Sequence, residues 1–131
     1  MNVSALNAIM SPSVAASRYR GVQVATASPA QIVAMLYGGI IKFSKDADEA
    51  LARGDSARVG DRIGRAMAIV DELASTLDGS QAPELANNLI SLYDFCKRRL
   101  LEANIKQDRR AIADVIAAVT PLKEAFAQLA K

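Results

Sequence analysis

Histidine is absent from this sequence, and cysteine occurs once, at position 96. Without an imidazole there is no phosphotransfer role of the kind some helical bundles carry, and no Glu-x-x-His di-metal pattern. Every Ser-His and Cys-His nucleophile pair is excluded as well. A lone cysteine forms no internal disulfide and no paired-thiol metal site. Cys96 falls in an apolar stripe and is expected as a small buried thiol. No glycine-rich phosphate loop compensates: Gly60 and Gly64 stand four apart in a helical pattern, which predicts close approach of two helices. Asp94 and Glu102 lie on polar faces beside arginines, with nothing to raise their pKa. No catalytic residue, metal or cofactor is expected, and the chain reads as no enzyme.

Charge of one sign and long apolar runs are also scarce. The net charge is +2, and both surplus charges, Arg18 and Arg20, precede Ser28. Arg62, Arg65, Arg98-Arg99 and Arg109-Arg110 are scattered among acids and read as solvated faces, so no nucleic acid partner is expected. The longest nearly uninterrupted apolar run, residues 32–41, is about half a membrane span, which argues against membrane insertion. No basic stretch precedes the first apolar residues, so no signal peptide is expected. A soluble, cytoplasmic protein follows from these readings.

What is present suits helices. Hydrophobic residues make up 51% of the 131 positions but aromatics only 5%, and alanine is abundant. That balance favours small-residue helix contacts over a β-sandwich. The chain is organised around residues 92–104, part of a helix expected from Pro83 to about Gln107. Leu85, Leu89, Leu92, Cys96, Leu100 and Ala103 share one face, and Ala86, Ile90, Tyr93, Leu101 and Ile105 form a second apolar band beside it. With more than half its circumference apolar, this helix is either the centre of a bundle or presents a face to a partner.

The other helices announce their ends. Ser28-Pro29-Ala30-Gln31 is a capping box with proline at N1, and Gly54 is the expected left-handed cap after Arg53. Ile32, Leu36, Ile40, Phe43, Ala47 and Leu51 make that helix's core stripe, and Val33, Tyr37 and Ile41 a second one. Asp55 caps the next helix, with Val59, Ile63, Met67, Val70, Leu73 and Leu77 facing the core and Ile69 flanking them. Residues 78–83 are a turn, and Asp108 caps a fourth helix carrying Ile112, Val115, Val119, Leu122, Phe126 and Leu129. Pro121 either kinks that helix or starts a short fifth one. Four amphipathic segments with short turns predict an all-α, antiparallel up-down-up-down four-helix bundle over residues 28–131. Residues 1–27 form a flexible or extended arm.

Four stretches in register resemble the flagellin-specific export chaperone family, FliS. They are Tyr19 with residues 24–29, then 35–43 (Met-Leu-Tyr-Gly-Gly-Ile-Ile-Lys-Phe), 66–78 and 92–104. Gly38 departs from the family pattern where an acidic residue is common, and Phe126 where tryptophan is common. The resemblance implies a cytosolic protein that binds the C-terminal, helix-prone segment of flagellin and prevents its premature polymerisation. It also implies docking at the cytoplasmic domain of the flagellar export gate.

A client segment that folds on binding needs apolar surface outside the bundle. The residues expected to line such a groove are Tyr19, Val33, Tyr37, Ile41, Ile69, Ile90, Tyr93 and Leu101. Tyr93 suits the groove edge, because its hydroxyl wants water or an acceptor, whereas Tyr37 suits the core. Val33, Tyr37 and Ile41 also fit a simpler role, packing against a second neighbouring helix. In the arm, Val3, Leu6, Ile9 and Met10 compose an apolar strip able to occupy the groove until a client displaces it. The alternative to a chaperone is a self-associating structural bundle using the same stripes, and the client-free protein is expected as a monomer or weak homodimer.

Overall fold

A capping box opens the first helix. In the computed structural model, which describes residues 28–130, the Gln31 amide donates to the Ser28 hydroxyl at 3.1 Å. The Ser28 amide donates in turn to the Gln31 side chain at 2.7 Å. With Pro29 at N1, α1 spans Pro29–Arg53 and ends on Gly54, whose φ of +73° a side chain would resist. Asp55 follows, accepts from the Arg58 amide, and starts α2, Ser56–Ser75. This helix stops short of Leu77, because the Ser75 and Thr76 hydroxyls donate to the Glu72 and Leu73 carbonyls that a further turn would use. Next, α3 spans Pro83–Lys106 and closes on Gln107 in the left-handed region. Asp108 then caps α4, Arg109–Leu129, by accepting from the Arg110 amide.

The fourth helix runs unbroken through Pro121, so no short fifth helix forms among the described residues. Ala117 and Pro121 are both exposed, so the carbonyl that loses its amide partner faces water. Tyr19 and the arm residues Val3, Leu6, Ile9 and Met10 lie outside the described residues.

Contacts between helices run in opposite senses along each neighbouring pair. On α1 and α2, Gly39 faces Ile69 while Phe43 faces Arg62 and Arg65. Between α2 and α3, Lys97 pairs with Asp71 at 2.7 Å, and Gly60 lies nearest Asn104. Arg99 reaches from α3 to Asp114 of α4 at 2.8 Å. Arg109 forks onto Asp48 at 2.8 and 2.9 Å, and Gly38 faces Lys123, which closes α4 against α1. The result is an antiparallel four-helix bundle in up-down-up-down order.

The helix best embedded in it is α1, packed closely against both α2 and α4, whereas α3 meets the same two neighbours more loosely. On the α2 side Gly39 makes this possible, whereas Gly38 leaves ordinary contact room toward α4. A methyl at position 39 would lie 2.8 Å from Ile69 Cδ1, and one at position 38 would lie 3.6 Å from the Lys123 side chain. With a neighbour on each flank, α1 buries both of its stripes: Ile32, Leu36 and Ile40, and also Val33, Tyr37 and Ile41. The stretch around Tyr93 is therefore not the centre of the bundle. Its helix buries Ala86, Leu89, Tyr93, Cys96, Leu100 and Ala103, a regular 3–4 repeat. Leu89, Cys96, Leu100 and Ala103 are buried as expected, while Ala86 and Tyr93 take the places of Leu85 and Leu92, a turn of the face by about 30° that carries Tyr93 inward.

Candidate docking surface

Of the residues expected to form a groove, four are interior. Val33 and Tyr37 have no exposed surface, Tyr93 is 2% exposed and Ile41 is 9% exposed. Tyr93 is thus not at a groove edge. Its hydroxyl is hydrogen-bonded to that of Tyr37 across the bundle, and the Tyr37 ring lies 5.9 Å from Phe126. A partner that the wheel diagram cannot show, 56 residues away, replaces the water expected for this phenol. Burial is the main cause that pushes the Tyr93 hydroxyl up to about 12 and holds Tyr37 well above the ordinary phenol range. Burial likewise pushes the Cys96 thiol up to about 11, so it stays protonated and unreactive at neutral pH.

Two of the expected residues do reach the surface. Ile90 is 43% exposed and Leu101 48%, and Ile105, which belongs to the same band, is 70% exposed. These three lie within about 60° of one another around α3. The Lys97–Asp71 pair shows that this shoulder borders α2. Along the border α2 presents Ala57, Gly60, Gly64, Ala68 and Ser75, and all but Gly60 are exposed. A methyl at Gly64 would meet nothing within 4 Å, and one at Gly60 only the Asn104 side chain at 4.0 Å. The two glycines therefore do not serve close helix packing, as their spacing suggests; they keep the α2 side of the border low. Side chains on α3 and near-bare backbone on α2 together leave a shallow, mostly apolar trough along the α2/α3 edge, bridged by the Lys97–Asp71 pair. Ile69 lies on the other shoulder of α2, half-buried against α1.

The described helices offer no grouping of potential metal ligands, and none is long and apolar enough to cross a membrane. The family model for flagellar protein FliS matches residues 12–131. The flagellar secretion chaperone FliS of Bacillus subtilis (strain 168) is 36% identical over 110 residues, covering 84% of this chain and 81% of that protein. Its counterpart in Salmonella typhimurium is also 36% identical, over 107 residues, covering 81% of this chain and 79% of the relative. The chain belongs to the FliS family.

Flagellar secretion chaperone FliS of Vibrio cholerae shows 35% identity over 107 residues. Met35, 54% exposed on α1, and Ile105 were missed as surface residues in the sequence reading. Ile105 was legible there, since it shares the band of Ile90 and Leu101. Met35 was not, because it sits inside the most apolar stretch of the chain.

Proposed function

We propose that this FliS-family chain is a cytoplasmic, non-enzymatic export chaperone that holds the C-terminal, helix-prone segment of flagellin in the α2/α3 trough. Occupying that segment prevents early polymerisation, and the complex is then presented to the cytoplasmic domain of the flagellar export gate. The observation that carries the reading is the row Ile90, Leu101 and Ile105 standing exposed beside the low face of α2. An amphipathic client helix lays its apolar side chains against such a row and over the exposed backbone. Tyr93, bonded through its hydroxyl to that of Tyr37, ties α3 to the interior beneath the trough.

Titration calorimetry with a C-terminal flagellin fragment tests the proposal. Binding is expected to show a negative heat-capacity change and little dependence on salt, because apolar burial drives it. Covering the exposed half of Leu101 contributes about 1 kcal/mol, and a charge placed there adds an unpaired buried group. Leu101→Glu should therefore weaken binding by roughly thirtyfold or more while the melting temperature holds, since the side chain is already half in water. Unchanged affinity in Leu101→Glu and Ile105→Glu would reject the trough. A dimer that ignores flagellin and dissociates in the same variants would support the self-associating bundle instead.

A further inference from the structure

The opposite shoulder of α2, where it meets α1, has a different chemistry. Phe43 is half-buried there, and three cations converge on its ring: Lys42 and Arg62 at 6.0 Å and Arg65 at 5.9 Å from the centroid. The two arginines share a single carboxylate. Asp61 accepts from Arg62 at 3.0 Å and from Arg65 at 3.1 Å, and Lys42 has no ion pair among the described residues. In addition, the Arg62 Nε is buried with no hydrogen-bond partner. A chain whose charges balance from Ser28 onward therefore has a local surplus of positive charge at this point. Beside the cluster, the apolar strip continues along the seam through Ile69, packed against Gly39, to Met35 two turns from Phe43.

We infer that this α1/α2 shoulder is a second docking surface, for an acidic segment of a protein partner. Such a segment sets apolar side chains against Met35 and Phe43 and its carboxylates against Lys42, Arg62 and Arg65. The seam between Met35 and Phe43 is about two helical turns, or roughly 12 Å, which matches an i,i+7 pair of apolar residues on a short helix. Asp46, Asp61 and Glu72 frame the strip, and they discriminate against a uniformly anionic surface while leaving room for discrete carboxylates at one end. Guanidinium groups stacked near an aromatic ring stay weakly hydrated, so a carboxylate displaces little bound water on pairing with them. This inference stands apart from the flagellin trough, which lies across α2.

A fluorescently labelled helical peptide with leucines at i and i+7 and glutamates in the following turn is the probe, with the full-length chain titrated into it at low salt. Arg62→Gln/Arg65→Gln is expected to weaken binding about tenfold and Lys42→Gln about threefold, as for partly exposed ion pairs. Lys42 is exposed, so its variant reports even where the double variant folds poorly. Leu101→Glu should leave this affinity unchanged, which separates the result from the fate of the trough. Equal binding of a lysine-for-glutamate peptide, or no effect of either variant set, overturns the inference. Co-flotation with phosphatidylglycerol vesicles that is lost in the same variants overturns it too, in favour of a lipid surface.

Discussion

Replacing Tyr93 by phenylalanine removes one oxygen from the middle of the bundle. Tyr37 has no exposed surface, and its hydroxyl bonds to that of Tyr93. After the substitution no water reaches the Tyr37 hydroxyl, so it forfeits its partner without regaining solvent. Stranding a buried hydroxyl costs roughly 1–3 kcal/mol. The rings remain, including the Tyr37–Phe126 contact at 5.9 Å, so no large cavity adds to the cost. The expected loss is about 2 kcal/mol, distinct from the roughly 3–5 kcal/mol of truncating a core aromatic to alanine. For a chain of this size the loss lowers the melting temperature by roughly 8 °C. Tyr37→Phe and the double variant complete a cycle. Once Tyr93 is phenylalanine, removing the Tyr37 oxygen takes away a stranded group, so the double loss should fall short of the sum of the singles by about 1 kcal/mol or more. Calorimetric or circular-dichroism melts at neutral pH measure all four proteins. A Tyr93→Phe protein within about 0.5 kcal/mol of the parent, or strict additivity, would refute the reasoning.

Two further outcomes follow from the buried polar groups. Burial raises Cys96 from 9.0 to about 11 and Tyr93 from 10.0 to about 12, and it holds Tyr37 well above the ordinary phenol range, so the fold favours the protonated forms. Their contribution is complete below the unfolded-state pKa values and is lost as pH rises toward the folded ones. Unfolding free energies from urea titrations should therefore fall between about pH 9 and 12, by up to about 1.4 kcal/mol per pH unit for each group, and Cys96→Ala should blunt the lower part of that fall. A flat profile to pH 12 would contradict the burial of these groups. Ser44 is fully buried on α1 and its hydroxyl has no hydrogen-bond partner. Ser44→Ala should thus raise stability by about 1 kcal/mol in denaturant unfolding, and a clear loss would show that the hydroxyl is used.

Local chemistry was legible from the chain alone. The Ser28–Gln31 box, Gly54 in its left-handed conformation, and the Asp55 and Asp108 caps each depend on residues no more than four apart, so helix number, order and most ends follow from the sequence. Apolar stripes at helical spacing then require a bundle, and short connections require antiparallel neighbours. The end of α2 was misjudged because Leu77 continues the apolar period while the hydroxyls of Ser75 and Thr76 end the helix first.

The division of apolar residues between core and surface was settled by tertiary structure. Periodicity marks which residues share a face, but α1 and α3 each carry two adjacent apolar bands, and a helix wheel has no preferred rotation when both bands are apolar. On α1 the close approach of α4, and of α2 over Gly39, buries both bands. On α3 the looser neighbours take one band, with Tyr93 drawn inward by the Tyr37 hydroxyl, and leave Ile90, Leu101 and Ile105 outside. The sequence by itself determined four helices, their order and a surplus of apolar surface. Where that surplus lies was decided by contacts between residues distant along the chain, because burial depends on which neighbour fills the space beside a side chain.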